Sequence, residues 1–116
     1  MSEVRIIEEK VVEYGITFSG MLIDMKNAYI IFLCEGDYSL GTLAISVPSG
    51  GDMLGPPLSS ILLGDKDKTL ARILAERLAA TLKRVVLVSV FLNMTDEKRA
   101  ATIFWRLLEE ILRRKT

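Results

Sequence analysis

The sequence has no histidine and no glutamine, and its 116 residues include only one cysteine and one tryptophan. Without histidine the chain has no ordinary catalytic triad, no histidine metal ligand and no side chain that titrates near neutral pH when unperturbed. The single cysteine, Cys34, has no partner for an internal disulfide, so we expect a reducing, cytoplasmic setting and a buried structural thiol. These absences favour a protein that is not an enzyme and that uses no metal or cofactor.

Net charge is absent as well, since Lys plus Arg and Asp plus Glu both number 15. A neutral chain has no long-range field that would draw it to nucleic acid or to an anionic membrane. The longest apolar runs, at residues 28–34 and 85–92, are far shorter than the roughly 20 residues that span a bilayer. The N-terminus lacks a basic region followed by an apolar stretch, so no secretory leader is expected. Residues 1–116 are predicted to form one domain with its own core.

Two periodicities divide the chain into strands and helices. Apolar runs bounded by glycine, proline or charged turns predict strands, and apolar positions three and four apart predict helices. The connections make the sheet mainly antiparallel, because only one strand follows a helical crossover. The predicted fold is α+β, a six-stranded mainly antiparallel sheet with two helices on one face in the order β-β-β-β-β-α-β-α. Its strands are expected at 4–14, 16–25, 28–34, 40–47, 58–63 and 85–92, with helices at 70–82 and after Thr95.

Both predicted helices follow acidic and hydroxyl side chains that suit a helix N-terminus. Asp65, Asp67 or Thr69 is expected to cap the first helix, and Thr95 the second. The segment from Asp65 to Thr69 also matches the Asp-x-Asp-x-Thr nucleophile loop of haloacid-dehalogenase-like phosphatases, in which the two aspartates act with magnesium. That fold needs a larger parallel sheet than 116 residues supply. Capping is therefore the preferred interpretation.

The strand patterns leave one face of the sheet without a cover. The second and third strands place apolar residues on both faces, whereas a sheet with one solvated face alternates apolar and polar residues. Six strands about 4.8 Å apart span nearly 30 Å, and two helices about 10 Å wide cover at most one face. We predict that a second copy or a related subunit packs on the other face, with Ile23 and Ile31 as candidate dimer contacts. Closure of the sheet into a half barrel is the alternative.

One segment carries a more specific signal. From Leu62 to Asp96 the sequence joins a buried strand, a capped helix, a second buried strand and a second helix start without a spare residue. Its marker residues are Leu62, Leu63, Gly64, Asp65, Thr69, Leu74, Ala75, Arg77, Leu78, Ala79, Val88, Ser89, Leu92, Thr95 and Asp96. This pattern resembles the fourth proteasome assembly chaperone family. The resemblance implies a six-stranded antiparallel sheet with helices on one side, pairing with a related chaperone through the sheet, and binding to proteasome α-subunits during assembly of the α-ring.

The expected function is thus a non-catalytic assembly chaperone, with a general small dimeric adaptor as the alternative. The scarcity of labile side chains is typical of thermophiles and indicates a prokaryotic, archaeal source, where one kind of α-subunit can fill the ring and a homodimer becomes more plausible than a heterodimer. Of Phe104 and Trp105, which point about 100° apart on a helix, one is expected in the core and the other as an exposed anchor. Candidate partner-binding residues lie in the 48–57 loop and on the outer helix faces: Met53, Leu54, Arg72, Glu76, Arg106 and Arg113.

Overall fold

The computed structural model describes residues 4–49 and 58–115. These residues form six strands and two helices in the predicted order. The helices are α1 (Lys68–Leu82) and α2 (Glu97–Lys115). The strands are β1 (Arg5–Glu13), β2 (Ile16–Asp24), β3 (Ala28–Glu35), β4 (Thr42–Val47), β5 (Leu58–Leu63) and β6 (Val85–Phe91).

The strands form one sheet in the order β1-β2-β3-β6-β4-β5. Every neighbouring pair is antiparallel except β3 and β6, which run parallel. The α+β prediction of a mainly antiparallel sheet is therefore confirmed. The strand β6 lies between β3 and β4 although it follows both in the chain, which suits a strand that is apolar on both faces. The connection from β3 to β4 consequently has to cross the end of β6.

Both helices lie on the same face of the sheet. Strand pairing aligns one line of residues across this face, which we call the core row. Helix α2 covers β1 and β2, while α1 covers β4, β5 and β6. All members of the core row belong to one apolar cluster with the helices or pack against it. They are Ile7, Leu22, Ile31, Val88, Ala44 and Ile61.

Aromatic residues fix the position of α2. The Phe104 ring meets the Phe18 ring edge-on, with the centroids 5.9 Å apart. Phe104 is fully buried and is the core member of its pair. Trp105 is half-buried against the core, and the guanidinium of Arg77 in α1 lies 4.6 Å from its ring centroid. Trp105 therefore joins the two helices, and our expectation of an exposed anchor at one of these two positions was wrong.

The start of α1 is capped by α2 and not by a local side chain. Asp67 occupies the N-cap position with a left-handed backbone, φ 61°, and its carboxylate makes no capping hydrogen bond. Instead, the Leu70 N–H donates to Oε2 of Glu97 at 2.9 Å. The capping prediction for Asp65, Asp67 or Thr69 was wrong, because the oxygen that reaches the helix end comes from the neighbouring helix.

The connection from β3 to β4 passes very close to β6 at Gly41. Its N–H donates to Oγ of Ser89 at 2.9 Å. A Cβ at Gly41 would lie 2.0 Å from the Val90 carbonyl oxygen, far inside contact distance. Only glycine allows this crossing at the present backbone separation.

We predict that Gly41→Ala lowers the free energy of unfolding by about 3 kcal/mol, because the backbone of β6 or of the connection must move. Gly36→Ala is the matched control, since Gly36 has φ +84° but no atom within 4 Å of the added Cβ. That variant should lose only about 1 kcal/mol through backbone strain. Urea unfolding of both variants measures the difference, and equal losses would contradict the close crossing.

Candidate interaction surfaces

The face opposite to the helices is apolar along its middle. Strand pairing aligns a second line of residues across it, which we call the open row. None of its members is charged, and all but the serine at the β5 end are aliphatic. No helix or strand of the described residues lies over this face, which we call the open face. The open row is Ile6, Ile23, Ile30, Leu87, Ile45 and Ser60.

Apolar side chains continue on both sides of the open row. The line of paired residues next to it includes Met21, Phe32, Leu43 and Leu63, with Glu8 and Ser89 as its polar members. At the rim, Val47 is 56% exposed and Leu58 is 77% exposed. Large contiguous apolar surface of this kind marks an interaction site on a soluble protein.

One end of the open face is closed by the residues that connect β3 to β4. The Tyr38 hydroxyl donates to the Gly20 carbonyl at 3.0 Å, and the Ser39 N–H lies 3.4 Å from Cys34 Sγ. Cys34 is fully buried beneath this connection. Burial raises the pKa of the Cys34 thiol, so the uncharged and unreactive form is favoured. The remaining open face is thus a bounded surface, and the described strands form an open sheet with β1 and β5 as its edges.

The structure separates the two candidate dimer contacts. Ile23 lies in the open row and is half-buried. Ile31 lies in the core row beneath the helices and is 0% exposed. Ile31 therefore cannot contact a partner, and that prediction is corrected. Alternation defines two faces within each strand, but strand pairing places Ile23 and Ile31 on opposite faces and helix packing decides which face is covered.

Two charged candidates lie on α1 at the β5 edge. Arg72 Nε donates to Oγ of Ser59 at 3.0 Å, and the Ser59 hydroxyl donates to the Glu76 carboxylate. These contacts brace α1 against β5. The two candidates in the 48–57 loop, Met53 and Leu54, lie outside the described residues.

The remaining two candidates lie on α2 at the β1 edge. Arg106 Nη1 lies 3.1 Å from Glu13 Oε1 of β1, and Arg113 Nη2 lies 2.9 Å from Glu110 Oε1. The Arg106 and Arg113 side chains line a groove of about 370 Å³ between α2 and β1. β1 and β5 are separated by five strand spacings, about 24 Å. The four charged candidates therefore form two separate groups and not one site.

The acidic residues before α1 do not converge. The Asp65 side chain is 98% exposed and pairs with Lys68 at 3.0 Å. Burial raises the pKa of Asp67, with Lys66 opposing the shift and Glu97 adding to it. Within residues 4–49 and 58–115, no group of three His, Cys, Asp or Glu side chains is arranged to hold a metal ion. No described helix is long and apolar enough to cross a membrane.

A buried carboxylate that was not predicted from the sequence holds the loop after β6. Glu35, at the end of β3, is 8% exposed and accepts hydrogen bonds from the three successive backbone N–H groups of residues 93–95 at 2.9–3.2 Å. Thr95 belongs to this loop and does not cap α2. The Arg99 N–H donates to Asp96 Oδ1 at 2.8 Å, so Asp96 is the cap.

The Glu35 contacts give the loop a fixed shape with an apolar tip. Burial alone would raise the pKa of Glu35, but the N–H donors of Met94 and Thr95 outweigh it and hold the pKa below its usual range. Met94, between them, is 83% exposed. The sequence did contain a signal, because a glutamate directly after the apolar run at 28–34 ends a central strand with a charge.

We predict that Glu35→Gln lowers the free energy of unfolding at neutral pH by about 2 kcal/mol. A glutamine amide has one acceptor oxygen, whereas the carboxylate has two, so the backbone N–H donors of the loop would no longer all be satisfied. The folded-state pKa of Glu35 lies below the unfolded value, so its stabilisation is present above the unfolded pKa and is lost as pH falls through the folded pKa. Urea unfolding at several pH values should show the two proteins converging in acid. A difference that stays constant with pH would contradict this role.

The fold and its surfaces define a class of small α+β scaffold, in which helices cover one sheet face and leave an apolar face open. A scan against protein-family models matches residues 17–92 to proteasome assembly chaperone 4. The match spans well over half of the chain and covers β2 from its second residue through β6, with α1. The chain belongs to the proteasome assembly chaperone 4 family, which confirms the resemblance seen in the sequence.

A solved structure has the same architecture. A chain from a chaperone complex for yeast 20S proteasome assembly superposes with a TM-score of 0.67 at 17% identity, over 94% of this chain and 92% of that chain. At this identity the likeness establishes the fold alone. A search of curated protein sequences gives no significant match. Family membership supports a role as a proteasome assembly chaperone.

Proposed function

We propose that this protein is a non-catalytic assembly chaperone that acts as a dimer, binds proteasome α-subunits and assists formation of the α-ring. The open face carries the proposal of a dimer, and family membership supports the client. A small dimeric adaptor with an unrelated client shares the first property and lacks the second. The two functions are therefore separated by the client and not by the fold.

The open face has the dimensions of a stable interface. Its strands contain 6 to 9 residues, which at about 3.3 Å per residue gives roughly 20–30 Å of length. Six strands span nearly 30 Å, so the face measures roughly 600–800 Å². Specific complexes bury about 800 Å² on each partner. Two such faces would stack about 10 Å apart as in a β-sandwich.

A second copy of the chain is the proposed partner on this face. The open row contains no charged side chain, so an isologous contact along this row would bury no unpaired charge, and the charged Glu8 of the neighbouring line lies at the end of the face beside Tyr38. Aliphatic side chains along the row would then be removed from water on both copies, and this is the main favourable term. A related chaperone with a similar sheet is the alternative partner.

We predict opposite outcomes for aspartate at the two isoleucines. Ile23→Asp should remain folded and become monomeric, because the charge lies on a surface that is open in the monomer. Ile31→Asp should unfold the protein, since a charge in the core costs more than about 4 kcal/mol. Circular dichroism reports folding, and light scattering at about 50 to 100 micromolar, well above a micromolar dissociation constant, reports the molar mass.

The wild-type mass decides whether a homodimer exists. A wild type that is strictly monomeric under the same conditions would contradict the homodimer and leave a related chaperone as the partner. Leu87→Asp, in the middle of the open row, is a second test of the same surface and should behave like Ile23→Asp.

The proposed client surface is the groove between α2 and β1. It stays accessible when the open face is paired, because it lies on the helix side of the sheet. The Arg106 and Arg113 side chains are 65% and 73% exposed within their ion pairs. A partly polar contact of this kind suits a chaperone that must dissociate, since exposed charges favour fast association and weak final binding.

We predict that Arg106→Glu combined with Arg113→Glu weakens binding to free α-subunits by about tenfold, which corresponds to about 1.4 kcal/mol. The ion pairs are exposed, so the fold should be kept. Lys26→Glu, in the exposed β2–β3 turn, is the control with a charge reversal elsewhere. Titration of labelled protein with α-subunits at low and high salt measures the loss.

The same titration tests the client and its site. No complex of the wild-type protein with free α-subunits at tens of micromolar would contradict the chaperone function and favour the general adaptor. A wild-type complex that loses affinity with Arg72→Glu, while the α2 double variant binds normally, would place the client at the β5 edge instead.

A further inference from the structure

The two edges of the sheet are built differently. In β1, five of the nine side chains are charged, and the Glu8 carbonyl accepts a hydrogen bond from Arg114 at 2.6 Å. Charged side chains and covered backbone groups are the usual protection of an edge strand. In contrast, β5 contains no charged residue, no proline and no glycine. The sheet therefore has one edge protected by charge and one edge, β5, without charge, proline or glycine, where the register with β4 shifts at Leu62.

The unprotected edge is also apolar and accessible. Leu58 is 77% exposed, Leu62 is 53% exposed and Leu63 is 49% exposed. Among the described strands β5 pairs only with β4. An edge strand presents a row of unpaired N–H and C=O groups, so its chemistry fits one kind of ligand, which is another extended strand.

We propose that β5 pairs edge to edge with β5 of a second copy, as two antiparallel strands related by a twofold axis. Both strands of this contact would be β5. Its six residues include no charged side chain, so no like charges would face each other across the twofold axis. Antiparallel pairing keeps corresponding residues on the same face of the sheet. The two open faces would then lie side by side on one continuous twelve-strand sheet, twice the six strands of one copy.

The edge contact is smaller than the open-face contact and is independent of it. A six-residue strand offers an edge about 20 Å long, well below the size of a standard interface. The association should therefore be weak and concentration-dependent. It uses backbone groups of β5 and not the side chains of the open row, so it does not rest on the proposed chaperone function.

The test removes the open-face contact and then measures disulfide cross-linking between the β5 strands of two copies. In an Ile23→Asp, Cys34→Ser background, Ser60→Cys places a thiol at the centre of β5, and Lys10→Cys places one at the matched position of the protected edge. Residues opposed across antiparallel strands have Cα atoms about 4.5–5.5 Å apart, within the range for a disulfide. Under mild oxidation at high protein concentration, the Ser60→Cys protein should form a disulfide-linked dimer and the Lys10→Cys protein should not. Equal cross-linking of both proteins, or of neither, would overturn the proposal.

A second variant tests the same contact without a new thiol. Leu62→Lys should weaken the concentration-dependent association by about tenfold in sedimentation equilibrium, because with Ser60 opposite its own copy the new charge would lie opposite the apolar Leu58 of the second copy. Lys10→Leu should not weaken it. Unchanged association of Leu62→Lys would overturn the proposal. Failure of Ile23→Asp to dissociate the wild-type dimer would contradict the open-face interface, whereas failure of the β5 variants contradicts only the edge contact.

Discussion

Two helices about 10 Å wide lie on a sheet nearly 30 Å wide, and they cover one face only. The other face carries the open row, a line of aliphatic side chains with no charge. A monomer would leave this apolar surface in water, which costs about 25 cal/mol for each Å². The proposed dimer follows from this constraint, because a second sheet is the simplest cover for a flat apolar sheet. The client-binding surfaces are then confined to the helix side, the sheet ends and the edges.

The position of β6 between β3 and β4 determines how the neighbouring segments of the chain are connected. It places a strand that is apolar apart from Ser89 in the middle of the sheet, with one face beneath α1 and Leu87 on the open face. The connection from β3 to β4 must then pass the end of β6, and Gly41 makes that passage possible. Glu35 binds the loop that leaves β6. One end of the sheet is therefore held by these contacts, and Met94 is exposed there.

The secondary structure could be predicted because each apolar run is bounded by residues that end it. The strand β5 was predicted with its observed bounds, Leu58–Leu63. Strand order could not be read in the same way, since it depends on which strand fills the gap beside β3. The cap of α1 was missed because its oxygen comes from Glu97, 27 residues further along the chain. Ile23 and Ile31 were both predicted as dimer contacts, because alternation within a strand does not show which face the helices cover, and that depends on long-range packing. The proposed client surface likewise combines segments that are distant in the chain, α2 and β1.

The most direct test of the open-face interface is oxidation of methionine side chains at increasing protein concentration, followed by mass spectrometry. Met21 lies on the open face, and Met94 lies on the loop after β6 and is 83% exposed. If two sheets pack face to face, Met21 should become protected as the dimer forms, while Met94 continues to be oxidised at the same rate. A Met21 that is oxidised equally fast at all concentrations would contradict the central claim that the open face is an interface between copies.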